Sequence, residues 1–202
     1  MFLYRAAALS VLIAAPAWSQ ERNPSTWGFV DVRFSTSQVD LVYAGLGYHG
    51  PFAMIGLVQN PRAGYTEALV GVGDRIVLHG STQVIAVAES KATESWYTQL
   101  YYIPRFSFGD VVVSSTFELY LPNSRFGTTQ LVLAPAMVLV PVVFGVSAGA
   151  SYQAGFGRGR MPQAGIGPTV HVPVPRGAVE LSLLAGLHAY SSEMRARFMI
   201  AY

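Results

Sequence analysis

The sequence predicts an all-β protein that folds as a closed, antiparallel, up-and-down barrel of about twelve strands, with eight as the lower bound. From Thr26 onward, stretches of nine to fourteen residues alternate between apolar and polar positions and are separated by Gly, Pro, Asn, Asp or Ser, which is the spacing of a meander of strands. The last ten residues, Glu193 to Tyr202, show the same alternation. Because closure pairs the last strand with the first, a barrel leaves no open edge that would promote aggregation.

The amino terminus has the pattern of a secretory signal peptide. A short positive segment ends at Arg5, and an uncharged, mainly apolar run of about twelve residues continues to Ala17; this run is too short to span a bilayer comfortably. Small residues occupy the third and first positions before a cleavage point after Ser19. We therefore expect a cleaved signal peptide at residues 1–19 and a single barrel domain at residues 20–202.

In each predicted strand, one set of alternate positions, which we call one parity, is apolar. Each connection between two strands falls at turn-forming residues. The predicted strands are 26–35, 38–48, 52–60, 64–72, 75–88, 95–108, 111–121, 127–138, 142–154, 163–172, 178–190 and 193–202.

Cross-strand register supports three of the predicted hairpins, because each proposed turn places polar residues opposite polar residues on one face. The turns are at Gly109-Asp110, at Val174–Arg176 and at Ser191-Ser192. They set Arg105 opposite Ser114 and Tyr102 opposite Phe117, His171 opposite Glu180 and Thr169 opposite Ser182, and His188 opposite Arg195.

The amino-acid composition argues against a nucleic-acid-binding protein and against a disulfide-stabilised one. Charged residues make up 12% of the chain and apolar residues 51%, and this charged share is about half the usual one. Without Arg5 the chain has 12 basic and 11 acidic residues, so no basic excess points to nucleic acid as a partner. The chain has no Cys, so an exported protein of this sequence has no disulfide framework.

The last strand carries the most specific pattern. One parity is apolar and ends on an aromatic residue, and the other is charged: Met194, Ala196, Phe198, Ile200 and Tyr202 against Glu193, Arg195 and Arg197.

This terminal pattern resembles that of the transmembrane β-barrels of the Gram-negative outer membrane, without pointing to a narrower family. The resemblance implies that lipid surrounds the apolar parity and that the protein resides in the outer membrane. It also implies that Phe198, Ile200 and Tyr202 form an assembly signal. The partners it implies are outer-membrane lipid, periplasmic chaperones and the barrel-assembly machinery.

Two rival architectures fit parts of the chain. No charged residue occurs between Thr128 and Gly157, and such a run can form a transmembrane helix, although Pro135 and Pro141 disfavour one. In the barrel, this wall is expected to be apolar on both sides, with Val132, Ala134 and Val138 pointing inward. A soluble sandwich or lipocalin-like barrel is the second rival, but its outer strand faces would be polar.

The polar parity is predicted to line the lumen, because an Arg facing lipid at the midplane costs about 2 to 4 kcal/mol. These residues predict a small passive pore with a slight anion preference or, if the lumen is filled, a membrane-stabilising barrel. The predicted lining residues are Arg33, Arg75, Arg105, Glu118, Glu180, His171, His188, Arg195 and Arg197.

Aromatic residues near predicted strand ends, among them Trp27, Tyr48, Phe52, Trp96 and Phe108, are expected to lie at the boundary between water and lipid, which amphipathic rings favour.

The alternative function is lipid hydrolysis by Ser191 or Ser192 with His188 as base and Glu118 or Glu180 as orienting acid, in the manner of a catalytic triad. Turn formation and mutual hydrogen bonding of lumen side chains explain the same residues without catalysis. None of the four His has a paired metal-ligand spacing, so neither a metal nor another cofactor is expected. Three Gly between 155 and 159, with Arg158 and Arg160, indicate a basic loop.

Overall fold

The structure, a computed structural model, describes residues 26–36, 40–92, 95–124, 127–157, 163–188 and 191–202, with only the backbone of His188. The predicted signal peptide and the two arginines of the predicted basic loop lie outside these residues.

Twelve antiparallel strands form one closed barrel, in which each strand pairs with its neighbours in sequence and β1 pairs with β12. This confirms the predicted up-and-down barrel. The strands are β1 Thr26–Ser35, β2 Asp40–Tyr48, β3 Pro51–Asn60, β4 Tyr65–Leu78, β5 Ser81–Ala92, β6 Ser95–Phe108, β7 Val111–Pro122, β8 Gln130–Val143, β9 Val146–Gly157, β10 Gln163–Val174, β11 Gly177–His188 and β12 Glu193–Ala201.

The two ends of the barrel differ. At the near end, which we define as the edge where β1 begins and β12 ends, each of the five connections contains two residues, such as His79-Gly80 and Gly109-Asp110. Positive φ angles of 73° at Gly80 and 58° at Gly109 fit such tight turns. At the opposite, far end the longest connection runs over 123–129. Short turns at one end and longer loops at the other are typical of outer-membrane barrels.

The turn at His79-Gly80 also corrects a predicted break. The sequence suggested that a strand ended near Gly73, but β4 continues to Leu78. Gly73 stays within the strand because its missing side chain accommodates the ring of Phe52, which a Cβ atom would approach to 2.6 Å.

Two of the three predicted hairpin registers are confirmed. Arg105 pairs with Ser114 in β6–β7, and His171 pairs with Glu180 in β10–β11. The third register is wrong, because Arg195 lies opposite Ser182 and not opposite His188. Ser191 and Ser192 lack the Gly or Asn that a two-residue turn favours, so the connection is wider. Since the slip is by an even number of residues, the polar parity still faces inward.

Strand β8 contains one extra residue at Ala134-Pro135 relative to both of its neighbours. Pro135 has no N–H to donate to the ladder, and a bulge accommodates this loss. The bulge reverses the parity of the strand. Ala134 lines the lumen, whereas Val138 is 47% exposed on the outer surface. The prediction that Val138 faces the lumen is therefore wrong.

Most outward side chains of the barrel are apolar, and the charged exceptions Asp74, Glu89 and Lys91 lie toward its two ends. Phe117, Leu183 and Phe198 are 39%, 58% and 37% exposed and lie on the outward parity, as predicted. Strands β8 and β9 occupy the uncharged stretch that could have formed a helix. Among the described residues, no helix has the length and apolar character needed to cross a membrane.

Candidate functional site: the barrel lumen

The lumen contains two cavities, which lie on either side of a group of shared lining side chains that we call the neck. The near chamber, of about 410 Å³, opens toward the near end and is lined by residues such as Trp27 and Arg105. The far chamber, of about 290 Å³, lies toward the far end and is lined by residues such as Gln130 and Arg195. Three side chains line both cavities and form the neck: Arg33, Tyr43 and Glu118.

An ion-pair cluster ties β1 to β12 beside the neck. Cross-strand pairing places Arg33 next to Arg197, and both guanidinium groups pair with the single carboxylate of Asp31. Arg197 donates from Nε and Nη2 to the two carboxylate oxygens of Asp31 at 2.9 and 2.7 Å, and Arg33 Nη2 donates to Asp31 Oδ2 at 3.1 Å. Bidentate, charge-assisted hydrogen bonds are the strong ones. The cluster therefore fastens the seam at which the barrel closes.

A second polar cluster lies in the far chamber. Glu193 accepts hydrogen bonds from Arg195, from the hydroxyl of Ser35 and from Gln153 Nε2, the last at 3.4 Å. Arg195 also donates to Gln153 Oε1. These contacts join β12 to β1 on one side and reach β9 across the lumen.

A third polar cluster is buried between β4 and β6. Glu67 is 1% exposed and accepts hydrogen bonds from the hydroxyl of Tyr65 and from Gln99 Nε2. Gln99 also donates to Ser90 and accepts from Tyr101. Both of these donors to Glu67 are neutral, and no described residue forms an ion pair with this carboxylate.

One wall of the lumen is aromatic, and each of its rings lies against a glycine of the next strand. Cross-strand pairing brings the members together. A Cβ atom on any of these glycines would come within 2.3 to 2.6 Å of its ring. The ring–glycine pairs are Trp27 with Gly47, Phe29 with Gly45, Tyr43 with Gly56 and Phe52 with Gly73. Glycine leaves the room that lets a ring pack closely against a strand.

This aromatic wall corrects part of the predicted girdle. Trp27 and Phe52 are 8% and 6% exposed and line the near chamber, not the lipid boundary. Tyr48, Trp96 and Phe108 are exposed near strand ends, where a girdle would lie. The sequence carried a signal for the inward rings, since Trp27 and Phe29 share the parity of Asp31 and Arg33 in β1.

The opposite wall, formed by β9 to β11, presents small and polar side chains. Ser151, Thr169 and Ser182 are buried there, and the hydroxyls of Thr169 and Ser182 are 2.8 Å apart across β10 and β11. Because these side chains are short, this wall leaves space that the aromatic wall does not.

The predicted lining residues divide between the chambers. Arg33 and Glu118 form part of the neck, and Arg195 lines the far chamber. Arg105, His171 and Arg197 line the near chamber, Arg75 lies 4.0 Å from the ring centroid of Trp27, and Glu180 is buried opposite Arg197. The backbone of His188 pairs with Gln163 in β10, and its side chain lies outside the described part of the chain.

The described residues do not bring a hydrolase triad together. Ser192 accepts a hydrogen bond from the backbone of Gly186 at 3.1 Å at the far end. Glu180 lies eight positions before His188 on β11, which at about 3.3 Å per residue is roughly 26 Å along the strand. Glu180 therefore cannot orient His188 as a triad acid, and the lipid-hydrolase alternative has no support.

The three residues of the predicted assembly signal lie along the β1–β12 closure. Phe198 pairs with Val32 and Ile200 pairs with Val30. Tyr202 exchanges two backbone hydrogen bonds with Gly28, at 2.7 and 3.0 Å, and its ring covers Gly28.

No protein-family model and no curated protein matches the chain. Solved structures that resemble it include three outer-membrane barrels. A KdgM porin in complex with disordered oligogalacturonate has a TM-score of 0.55 at 9% identity, over 86% of this chain and 98% of that one. The COG4313 outer membrane channel from Pseudomonas putida F1 has a TM-score of 0.53 at 10% identity, over 94% and 100%. A NanC porin has a TM-score of 0.52 at 10% identity, over 87% and 98%. The chain therefore shares the barrel fold of outer-membrane porins and channels.

Proposed function

We propose that this barrel is a passive diffusion channel in the outer membrane of a Gram-negative bacterium, and that it admits small polar solutes with a slight preference for anions. The observation that carries the proposal is the pair of chambers on either side of a charged neck, inside a wall whose outer face is mainly apolar. Charged groups are inexpensive in a water-filled lumen and costly toward lipid. The porin-like fold agrees with this function.

Unequal exposure of the lumen charges supports the anion preference. The acidic residues Asp31, Glu67, Glu118, Glu180 and Glu193 are all buried. Most of the inward arginines are less buried than these acids, and Arg105 is exposed. A permeating ion therefore meets guanidinium groups before it meets carboxylates.

Export and assembly belong to the same proposal. Signal-peptide cleavage after Ser19 would deliver residues 20–202 to the periplasm. Chaperones and the barrel-assembly machinery would then act on the terminal strand with Phe198, Ile200 and Tyr202, and outer-membrane lipid would cover the apolar face.

Planar-bilayer recording of refolded residues 20–202 tests the channel. We expect stepwise conductance and a reversal potential in a salt gradient that shows anion preference. Absence of conductance at every voltage would reduce the protein to a membrane-stabilising barrel.

Replacement of the exposed lumen arginine tests the origin of the selectivity. We expect Arg105→Gln to lower the anion-to-cation permeability ratio about fivefold, because a unit charge about 8 Å away in water contributes about 0.5 kcal/mol, with opposite sign, to the energy of an anion and of a cation. The control is Arg62→Gln, which removes the same charge from the exposed 61–64 turn outside the lumen. An equal change in both variants would contradict a lumen origin.

A further inference from the structure

The near chamber has two chemically unlike sides. Trp27, Phe29 and Phe52 present a cluster of rings with centroid separations of 5.4 to 6.3 Å. Met54, Val84 and Ile103 extend this apolar side. The polar lining comes from Arg105 on β6, His171 on β10 and Arg197 on β12, the strand next to β1. A cavity of about 410 Å³ is in the size range of small-molecule sites, which combine an apolar lining with a few placed polar groups.

The cationic side chains of this chamber differ in whether they already form an ion pair. Arg197 makes a bidentate contact with Asp31, and Arg33 donates to the same carboxylate. Arg105 is exposed and forms no ion pair with the part of the chain that the structure describes. Arg75 also has no ion pair there, but it lies against the ring of Trp27, 4.0 Å from the centroid. Of the arginines that line the cavity, Arg105 is therefore the one left available to an anionic ligand.

Buried nitrogen atoms around the chamber offer further hydrogen-bond donors to an anionic ligand. Within the described residues, the nitrogens Arg33 Nε, Arg75 Nε and His171 Nδ1 are buried without a hydrogen-bond partner. Glu180 Oε2 also has none there, but it is an acceptor and offers nothing to an anion. Arg33 as a whole is 6% exposed and lines the cavity. An unsatisfied buried donor costs free energy, and a ligand carboxylate that accepts from it recovers that cost.

We propose that the near chamber is a binding site for small aromatic carboxylates, with benzoate as the simplest example. The ring of such a ligand would pack against Phe29 or Phe52, since Arg75 covers the face of Trp27, and its carboxylate would accept hydrogen bonds from Arg105. An aliphatic acid would lose the ring contacts, which are worth about 0.5 to 1.5 kcal/mol per pair beyond burial. A neutral aromatic alcohol would leave Arg105 without its charge-assisted contact. This inference rests on the proposed channel, because the ligand must enter through its lumen.

Trp27 provides the reporter. Refolded residues 20–202 lack Trp18, so Trp96→Phe leaves Trp27 as the remaining tryptophan. We expect benzoate to change its fluorescence saturably, and cyclohexanecarboxylate, benzyl alcohol and acetate to bind at least about tenfold more weakly. Binding of the alcohol as tight as that of benzoate, or a response that never saturates, would overturn the proposal.

Variants in the same background locate the site. We expect Arg105→Gln to weaken benzoate binding at least about tenfold, and Arg62→Gln to leave it unchanged. Phe52→Leu should reduce the preference for benzoate over cyclohexanecarboxylate. Unchanged affinity for benzoate in Arg105→Gln would overturn the proposal. If a variant fails to refold, the comparison of the four ligands in the Trp96→Phe protein alone decides the question.

Conductance separates this inference from the proposed function. Normal ion conductance without benzoate binding would overturn only the aromatic-acid site. Saturable benzoate binding without conductance would overturn only the channel.

Discussion

The two walls of the lumen fill space in opposite ways. On β1 to β4, rings of Trp27, Phe29, Tyr43 and Phe52 lie flat on cross-strand glycines, so shape complementarity holds this side together. On β9 to β12, hydroxyl, amide and charged groups meet through hydrogen bonds. Overpacking or a cavity in the packed wall lowers the free energy of unfolding. In the polar wall, the free energy of unfolding falls when one partner of a buried hydrogen-bonded pair is removed.

The largest expected effect is at the closure cluster. Asp31→Ala leaves Arg33 and Arg197 without their shared carboxylate, and removal of one partner of a buried ion pair costs about 3 to 5 kcal/mol. We expect a loss of that order in the free energy of unfolding, measured by urea titration in lipid bilayers. Asp110→Ala, which changes an exposed turn residue, should change stability by less than about 0.5 kcal/mol. Similar losses in both variants would show that the cluster does not hold the seam.

Glycine substitutions compare the two walls directly. Gly56→Ala places a Cβ atom 2.3 Å from the ring of Tyr43, whereas at Gly155 nothing lies within 4 Å. We expect Gly56→Ala to lower the free energy of unfolding by about 1 to 3 kcal/mol through overpacking. Gly155→Ala should be close to neutral. The same urea titration measures both, and equal losses would contradict the ring-on-glycine account of the aromatic wall.

The smallest expected effect is on the polar wall. Thr169→Val keeps the shape of a buried side chain but removes its hydroxyl contacts to Ser182 at 2.8 Å and to the carbonyl of Leu181 at 3.2 Å. We expect a loss of about 1 kcal/mol. Thr66→Val on the exposed outer face of β4 is the matched control and should be neutral or stabilising in lipid. A neutral Thr169→Val would mean that this wall does not depend on its hydroxyl pair.

Much of the barrel could be predicted because the position of a two-residue turn determines which residues of the two flanking strands pair. The Gly109-Asp110 turn gave the correct pairing of β6 with β7 over its whole length. The Ser191-Ser192 turn failed, because neither residue favours the positive φ that a tight turn requires. The parity of β8 beyond Pro135 was also wrong, since a bulge moves every later side chain to the other face.

The site was harder to predict than the fold, because parity alone does not say what an inward aromatic does. Arg33, Arg105 and Arg197 were placed correctly on the inner face, since charge excludes the lipid side. Trp27 and Phe52 were placed at the lipid boundary because rings are stable there as well. For Trp27, the shared parity with Asp31 and Arg33 already indicated the inner face. For Phe52, the distinguishing feature is its cross-strand glycine, which is recognised only after the register of β3 and β4 is known.

The central claim is that hydrocarbon surrounds the apolar parity of the strands. The chain has no Cys, so a single nitroxide label can be attached at Leu183→Cys, Val138→Cys or Ser182→Cys in the refolded protein in bilayers. We expect labels at 183 and 138 to collide more often with dissolved oxygen than with a polar nickel chelate, and the label at 182 to show the reverse. Preferential collision of the labels at 183 and 138 with the polar reagent would contradict the account.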